Sequence, residues 1–172
     1  MARAGSQPAG ARLNLENIPH ARSPMMNPST AVLRYVDDED GVRRCHPVMV
    51  QLRPHLVCAD EFVVRWRRQV ADGYRLLALF DGPRVLALAG FRVQENLVHG
   101  RFLYVDDLAT DAALRGGGHG ERLMTRLVQE ARTLGCAKLV LDTPLANSLG
   151  QRFYFRNGLL ATALRFNMAI TP

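Results

Sequence analysis

The chain has 172 residues, of which 48% are hydrophobic and 22% are charged, a composition that fits one globular domain with a sizeable core. No apolar run approaches the roughly 20 residues that span a bilayer, and the N-terminus lacks the apolar segment of a secretory signal. We therefore expect a cytoplasmic protein without a membrane partner. The net charge is +6, but the arginines are scattered along the chain, which disfavours a nucleic-acid interface.

The cysteines and lysines add two expectations. Cys45, Cys58 and Cys136 have no metal-ligand spacing, so we predict no metal site and regard these side chains as small apolar fillers. Lys138 is the only lysine, and Ala, Leu, Gly and Val are abundant, which is typical of a GC-rich bacterial genome.

Residues 1–30 are predicted to form a disordered tail, and residues 31–172 a folded domain. The tail holds four prolines, two glycines and no aromatic residue. Such a composition cannot bury enough apolar surface to offset the entropy of ordering.

The first part of the domain predicts one strand and two helices. The run at 31–36 is typical of a short strand. The acidic run at 37–40 precedes a helix through Leu52, because negative charge stabilises a helix N-terminus. Asp60 is predicted to cap a second helix over residues 61–71.

The middle of the domain predicts an antiparallel meander. Apolar runs at 74–81 and 84–93 flank Gly82-Pro83, a pattern typical of a β-hairpin. The aromatic and β-branched content of residues 101–110 predicts a third strand.

The last part predicts a helix over 119–134, a short strand over 137–143, a shorter helix over 147–158 and a final strand over 163–170. The predicted order is therefore β-α-α-β-β-β-α-β-α-β. This order predicts an α/β fold of the α+β type, with one mixed sheet flanked by helices.

Four glycines within five positions lead directly into the third helix, in the segment "RGGGHG" that begins at Arg115. A strand, a glycine-rich turn and a helix N-terminus together predict an anion site, and Arg115 adds a guanidinium fork. A Walker loop is excluded because the segment has no lysine. The dinucleotide fingerprint is excluded because Glu121 stands where its third glycine is needed.

The segment has the form Arg/Gln-x-x-Gly-x-Gly/Ala and follows the strand "YVDDLAT". Together with the downstream "LVLDT" and "NSLGQRFYFRNGL", it resembles the acetyl-coenzyme A site of the GCN5-related N-acetyltransferase (GNAT) family. The resemblance extends from about Ala31 to the C-terminus. It implies a single GNAT-like domain with acetyl-coenzyme A as co-substrate.

The resemblance assigns cofactor contacts to two stretches. The pyrophosphate would lie on the loop formed by Arg115, Gly116, Gly117, Gly118, His119 and Gly120. The pantetheine arm would pair with the exposed backbone of Leu108, Ala109 and Thr110. A glycine turn that serves only to reverse the chain is the alternative for the loop.

Tyr154 is predicted to be the general acid that protonates the leaving thiolate, since free thiols have a pKa near ~8.5. Asn147 precedes it by two helical turns on the same face, and we expect Asn147 to contact the pantetheine arm. The alternative for Tyr154 is a packing ring with its hydroxyl in solvent.

Asp106 is predicted to be the base that removes a proton from the acceptor amine, because family members often place an acidic residue here, commonly acting through water. Strand alternation would place Asp106 and Asp107 on opposite faces of the sheet. The alternative role for both aspartates is to stabilise the place where two neighbouring central strands separate. The expected acceptor pocket contains Arg65, Trp66, Arg67, Tyr74 and the loop at 92–100.

These expectations describe an N-acetyltransferase that acts by direct attack of a primary amine in a ternary complex. The acceptor is a small-molecule amine or a protein amine, and a homodimer is compatible with the family. A non-catalytic module of the same fold, binding a coenzyme A thioester or a partner, is the alternative. A basic nucleic-acid binder is the third and least favoured hypothesis.

Overall fold

A computed structural model describes residues 30–170, so the predicted tail lies outside the described residues except for Thr30. The elements are β1 (Val32–Val36), α1 (Glu39–Leu52), α2 (Ala59–Ala71), β2 (Arg75–Asp81), β3 (Arg84–Asn96), β4 (Gly100–Thr110), α3 (His119–Thr133), β5 (Lys138–Leu141) and α4 (Ser148–Arg156). A 3-10 turn at Ala112–Leu114 joins β4 to α3. None of the helices in this part of the chain is long and apolar enough to cross a bilayer.

The five strands form one mixed sheet in the order β1-β2-β3-β4-β5. The first four strands pair antiparallel, and β5 pairs parallel with β4. This arrangement confirms the predicted fold class. It also leaves β1 and β5 as the two edges of the sheet.

Helices cover both faces of the sheet and create two cores. On one face, α1 and α2 pack through residues such as Val42, Met49 and Phe62. On the other face, α3 packs through Leu123 and Leu127. Leu77 and Leu79 of β2 face this second core, whereas Leu76 and Ala78 face the first. The continuous apolar run of β2 therefore reflects a strand that is covered on both faces.

The helix starts follow from local charge and capping. The Asp38 side chain accepts a 2.6 Å hydrogen bond from the Gly41 amide, so Asp38 is the N-cap of α1. The prediction that Asp60 caps α2 was wrong, because α2 begins two residues earlier with Cys58 at the N-cap position. Asp60 instead lies in the first turn of α2, where its negative charge suits the helix dipole, and it pairs with Arg43.

The final strand predicted over residues 163–170 is absent. These residues have strand-type alternation, but they are exposed and form no regular secondary structure. A strand is stabilised by cross-strand pairs and by burial of one face rather than by backbone preference. Within residues 30–170 this segment has neither a strand partner nor a buried face.

Two leucines of one hairpin provide a test of the core. Leu88 on β3 is 0% exposed, whereas Leu97 at the tip of the β3–β4 hairpin is fully exposed. We expect Leu88→Ala to lower the free energy of unfolding by about 2–5 kcal/mol, because it removes buried methyl groups and leaves a cavity. Leu97→Ala is the matched control and should stay within about 0.5 kcal/mol of the wild type in urea denaturation. Equal losses in both variants would contradict the described packing.

Candidate active site

The glycine loop lies between the 3-10 turn and α3, and its backbone explains two of its glycines. Gly116 has φ +84° and Gly118 has φ +77°, values that residues other than glycine rarely adopt. Gly118 is also the N-cap residue of α3. The first amides of a helix have no intrahelical acceptor, so the loop presents free N–H donors at the positive end of the α3 dipole.

The side chains around the loop leave room for an anion. Arg115 is exposed, and among the described residues it has no ion-pair partner. The His119 ring is buried, and its Nδ1 atom has no hydrogen-bond partner in the described chain. A Cβ at Gly117 would lie 3.1 Å from the Nε2 atom of His119 and 3.2 Å from the Leu114 carbonyl oxygen. The loop is therefore an open cradle in which a side chain at Gly117 would be crowded.

Gly120 has a different reason for being glycine. A Cβ at this position would lie 3.2 Å from the Phe153 ring and 3.5 Å from the Thr110 hydroxyl. The missing side chain lets α4 approach the start of α3 closely. Phe153 also contacts the neighbouring Tyr154 ring edge-on, with 5.5 Å between the ring centroids. Gly120 therefore helps to set the position of Tyr154.

The β4 strand has a bulge at Asp106. Val105 lies opposite Phe91 and Asp107 lies opposite Gly90, so Asp106 is an extra residue without a partner on β3. Pairing between β4 and β5 ends at the neighbouring position, where Val105 meets Leu141. Beyond the bulge, within the described residues, the second edge of β4 has no strand partner.

This free edge includes three residues that the resemblance assigned to the cofactor. Leu108, Ala109 and Thr110 still pair with β3 on one side. The backbone groups on their other side are available to a ligand that binds as an added strand. Along the chain this edge is followed by Asp111, the 3-10 turn and then the glycine loop.

The bulge also changes the orientation of the two aspartates. Asp107 accepts hydrogen bonds from the Tyr74 hydroxyl at 2.9 Å and from Arg53 Nε at 2.8 Å. Asp106 accepts a 2.9 Å bond from Arg92 Nε. Arg92 in turn lies over the Tyr74 ring at 5.6 Å, so both carboxylates contact the face of the sheet that α1 and α2 cover. The expectation of opposite faces was wrong, because simple alternation does not hold across a bulge.

The two carboxylates differ in how many of their oxygens accept hydrogen bonds. Both oxygens of Asp107 are hydrogen-bonded. Asp106 uses Oδ2 for Arg92, and its Oδ1 has no hydrogen-bond partner among the described residues. Burial raises the pKa of Asp106 above its ordinary value, although the Arg92 hydrogen bond opposes this shift. Asp106 is therefore the carboxylate that retains a free oxygen for a proton.

Tyr74 connects this network to β3. Its hydroxyl occupies the space that a side chain at Gly90 would need. Burial and the Asp107 carboxylate raise the pKa of Tyr74 well above its ordinary value. The hydroxyl therefore keeps its proton and donates a hydrogen bond to Asp107.

Tyr154 lies on α4 and is half-buried. Within residues 30–170 its hydroxyl has no hydrogen-bond partner, and burial raises its pKa. A phenol with a raised pKa keeps its proton at neutral pH and can donate it.

Asn147 is the N-cap residue of α4. Its Oδ1 accepts a 3.0 Å bond from the Gly150 amide, and its Nδ2 donates a 3.0 Å bond to the Thr143 hydroxyl. These bonds use one acceptor site and one donor hydrogen, so one of each remains for a ligand.

Three residues of the expected acceptor pocket have partners or packing of their own. Trp66 is in the core under α2, Arg65 pairs with Glu61 and Arg67 pairs with Glu39. Among these side chains, Tyr74 is the one that reaches the aspartates. Sequence reasoning missed Arg53, which follows α1, and Gln69, which accepts a 2.9 Å bond from Arg92.

A signal for Arg92 itself was present in the sequence. The sequence analysis placed Arg92 both near the end of the apolar run at 84–93 and at the start of the loop at 92–100, and in the structure β3 continues through it to Asn96. A charged residue that extends a buried apolar strand needs a partner of opposite charge. The Asp-Asp pair on the adjacent predicted strand was the obvious source of that partner.

Comparison with known proteins agrees with this geometry. The model of the Acetyltransferase (GNAT) family matches residues 43–159. The uncharacterized N-acetyltransferase YhdJ of Bacillus subtilis (strain 168) is 29% identical over 110 residues, which are 63% of this chain and 77% of that protein. Glucosamine 6-phosphate N-acetyltransferase 1 of Oryza sativa subsp. japonica is 39% identical over 61 residues, which are 34% of this chain and 37% of the rice protein.

A solved structure shows the same fold. Aminoglycoside N-acetyltransferase AAC(6')-Iy in complex with CoA matches with a TM-score of 0.74 and 15% identity, covering 84% of this chain and 97% of that chain. The family match spans more than half of the present chain. The chain is thus a member of the GNAT family of acetyltransferases.

Proposed function

We propose that this acetyltransferase transfers an acetyl group from acetyl-coenzyme A to a primary amine by direct attack in a ternary complex. The observation that carries the proposal is the divergence of β4 from β5 after Val105. It leaves an unpaired strand edge that runs toward the glycine loop, beside a carboxylate with a free oxygen.

The described residues fit the co-substrate. The loop amides and Arg115 would hold the pyrophosphate, as phosphate oxygens bind at helix N-termini. Leu108, Ala109 and Thr110 would pair with the pantetheine amides, and Asn147 keeps one donor and one acceptor for the same arm. Acetyl-coenzyme A supplies an acetyl group activated as a thioester.

The proton transfers can be assigned to two side chains. An alkyl ammonium has a pKa near ~10, so the acceptor amine must lose a proton before it attacks. Asp106 Oδ1 takes that proton, directly or through a water. A C–N bond then forms at the thioester carbonyl as the C–S bond breaks, and Tyr154 gives its proton to the departing sulfur. The attacking nitrogen releases its second proton as the amide forms, and that proton restores the Tyr154 hydroxyl through solvent.

The acceptor is proposed to be an amine that approaches from the face of the sheet bearing Asp106 and Arg53. Relatives named for their acceptors include a glucosamine 6-phosphate N-acetyltransferase and an aminoglycoside N-acetyltransferase. Amino sugars are therefore the first acceptors to screen, by release of free thiol. Polyamines and peptide amines complete the screen.

The glycine loop can be tested with two glycines of similar backbone conformation. Gly118 and Gly100 both have positive φ, +77° and +65°, and a Cβ at either would meet open space. We expect Gly118→Ala to weaken coenzyme A binding at least about 10-fold in isothermal titration, because its left-handed conformation costs roughly 1–2 kcal/mol and reorienting the loop relieves it. Gly100→Ala carries the same strain in the β3–β4 turn and should leave the affinity unchanged. Equal affinities in the two variants would exclude the loop from the binding site.

A tyrosine pair tests the general acid. We expect Tyr154→Phe to reduce kcat by about 10²–10⁴-fold, because the leaving sulfur loses its proton donor, while coenzyme A affinity stays close to that of the wild type. Tyr35→Phe is the control, since Tyr35 on β1 is also partly buried with a raised pKa. Full turnover by Tyr154→Phe would remove Tyr154 from the mechanism.

The pH dependence tests Asp106. Only the carboxylate accepts a proton, so wild-type kcat should rise with pH through the pKa of Asp106, at a midpoint above the ordinary aspartate value because burial raises that pKa. Asp106→Asn should lower kcat about 100-fold or more and abolish this rise of kcat with pH. Asp81→Asn, at the exposed end of β2, should keep both the wild-type kcat and its rise with pH. If the same rise persists in Asp106→Asn, the base is another group.

The non-catalytic alternative predicts a different pattern. It requires coenzyme A binding that Gly118→Ala weakens, together with no thiol release from any acceptor in the screen. Turnover that depends on Tyr154 excludes it.

A further inference from the structure

A second charged cluster lies next to Asp106 and has no part in the proton transfers proposed above. Its members are Tyr104 on β4, Asp142 directly after β5 and Arg165 in the segment after α4. The Tyr104 hydroxyl and Arg165 both donate hydrogen bonds to Asp142 Oδ2. Arg165 also donates a 3.1 Å bond to the Tyr104 hydroxyl. A carboxylate and a phenol therefore already hold a cation at this position.

The sheet register places this cluster on the same face as Asp106. Tyr104 lies directly opposite Arg92 in the β3–β4 ladder, and residues that face each other across a ladder lie on one side of the sheet. Arg92 bonds the Asp106 carboxylate. Leu141 packs against the core under α3, so the next residue, Asp142, points to the opposite face, where it meets Tyr104. Asp142 and the proposed base therefore share one face.

The helices leave this part of the face open. In the described part of the chain, the core under α1 and α2 includes no residue of β5. Val140, which lies beside Tyr104 in the parallel ladder, is partly exposed, and the Asp142 side chain is 39% exposed. An acceptor that approaches Asp106 from this face would consequently meet Asp142 as well.

The spacing of the two carboxylates defines a length for the acceptor. Val105 and Leu141 form the last pair of the β4–β5 ladder, so Asp106 and Asp142 leave the sheet at the same level on two strands that then diverge. Neighbouring strands lie about 5 Å apart, which is the least separation of the two backbones at this level. A chain of four methylenes between two amines can span such a gap.

Tyr104 keeps the Asp142 carboxylate in a fixed orientation. Burial and the Asp142 hydrogen bond raise the pKa of Tyr104 to about 12. The phenol therefore stays protonated and donates to Oδ2. The other carboxylate oxygen of Asp142 has no hydrogen-bond partner among residues 30–170, so it can accept a further bond from an ammonium group.

Arg165 is an occupant that another cation can replace. Its side chain is 65% exposed, and it belongs to a segment without regular secondary structure. Exposed ion pairs contribute little to stability, because both charges are well solvated when apart and ordering a long side chain costs entropy. Exchanging the guanidinium of Arg165 for the ammonium of a ligand therefore costs little.

We propose that the Asp142 carboxylate and the Tyr104 hydroxyl form a subsite for a second cationic group of the acceptor. A diamine would place one nitrogen at Asp106 and the other at Asp142, where it replaces Arg165. The inference rests on the proposed function, since it takes Asp106 as the base for the first nitrogen. The alternative is a structural tie, in which Arg165 and Asp142 only hold the segment after α4 to the sheet.

Equilibrium binding tests the subsite without relying on turnover. Diaminobutane and aminobutanol have the same length and differ in the charge of one end, and each is titrated into the full chain with and without coenzyme A. We expect the wild type to bind diaminobutane at least about 5-fold more tightly, because the second ammonium gains charge-assisted hydrogen bonds. Asp142→Asn should reduce this ratio to the statistical factor of a symmetric diamine. Arg165→Gln should increase the ratio to at least about 10-fold, because it removes the internal competitor.

Two variants control for the change in net charge. Asp81→Asn and Arg68→Gln remove the same charges at exposed positions of β2 and α2, and both should keep the wild-type ratio. Equal affinities for the two amines in the wild type, or a ratio that Asp142→Asn leaves unchanged, would overturn the subsite. Weaker binding of both amines to Asp142→Asn, with the ratio kept, would identify the structural tie and overturn the subsite as well.

Thiol release with the same two amines reports separately on the proposed function. Release at equal kcat/KM from both amines would support the acetyltransferase and overturn the subsite. Selective binding that depends on Asp142, without thiol release from either amine, would support the subsite and contradict the proposed reaction for these acceptors.

Discussion

The bulge in β4 is the constraint on which the rest of the site depends. On its N-terminal side, β4 is a central strand paired with β3 and β5. On its C-terminal side, β4 keeps β3 and leaves β5. A regular strand would continue both ladders and close the sheet at the position where the cleft now opens. One extra residue, Asp106, thus converts a continuous sheet into one with an open edge that leads to the glycine loop.

Charge stabilises the bulge from both sides. Arg53 bonds the Asp107 carboxylate and also donates a 2.8 Å bond to the Asp106 carbonyl oxygen, a backbone acceptor at the bulge. Arg92 bonds the Asp106 carboxylate from β3. Two partly buried carboxylates side by side would repel each other, and each has a guanidinium of its own. Through Arg53, the connection that follows α1 is consequently bonded to the β4 bulge. This contact links the helical layer to the proposed site.

The positions of functional groups follow from backbone features more than from side-chain identity. The anion cradle consists of amides, the proposed cofactor-pairing edge consists of main-chain donors and acceptors, and α4 is held near α3 because Gly120 lacks a side chain. The proposed proton-transfer groups, together with Arg115 and Asn147, are the side chains of the proposed site. This division is consistent with relatives that keep the fold at 15% identity, because backbone geometry can persist while most side chains change.

The sequence predicted the fold well where local patterns decide the structure. Helical periodicity, acidic helix starts and the Gly-Pro turn placed nine of the elements in the right order. The failures came from interactions distant in sequence. Alternation could not show that a bulge brings Asp106 and Asp107 to one face, since a bulge depends on the register with β3. The final strand failed for the complementary reason, because β-propensity is not realised in a segment that pairs with no strand and buries no face.

The candidate site shows the same division. The loop was visible as a glycine pattern, but Arg53 and Gln69 are 53 and 37 residues from Asp106 in sequence and have no local signature. Gly120 was grouped with the phosphate-binding glycines, although the Phe153 ring accounts for its lack of a side chain. A motif match identifies which residues matter and does not by itself give the reason for each.

The contact between Tyr74 and Gly90 has an evolutionary consequence. The Tyr74 hydroxyl fills the volume that any side chain at position 90 would require. A homologue with a larger residue at position 90 must therefore carry a shorter one at position 74, and it would then lose the donor to the second aspartate. Positions 74, 90 and 107 should consequently covary as a unit across the family.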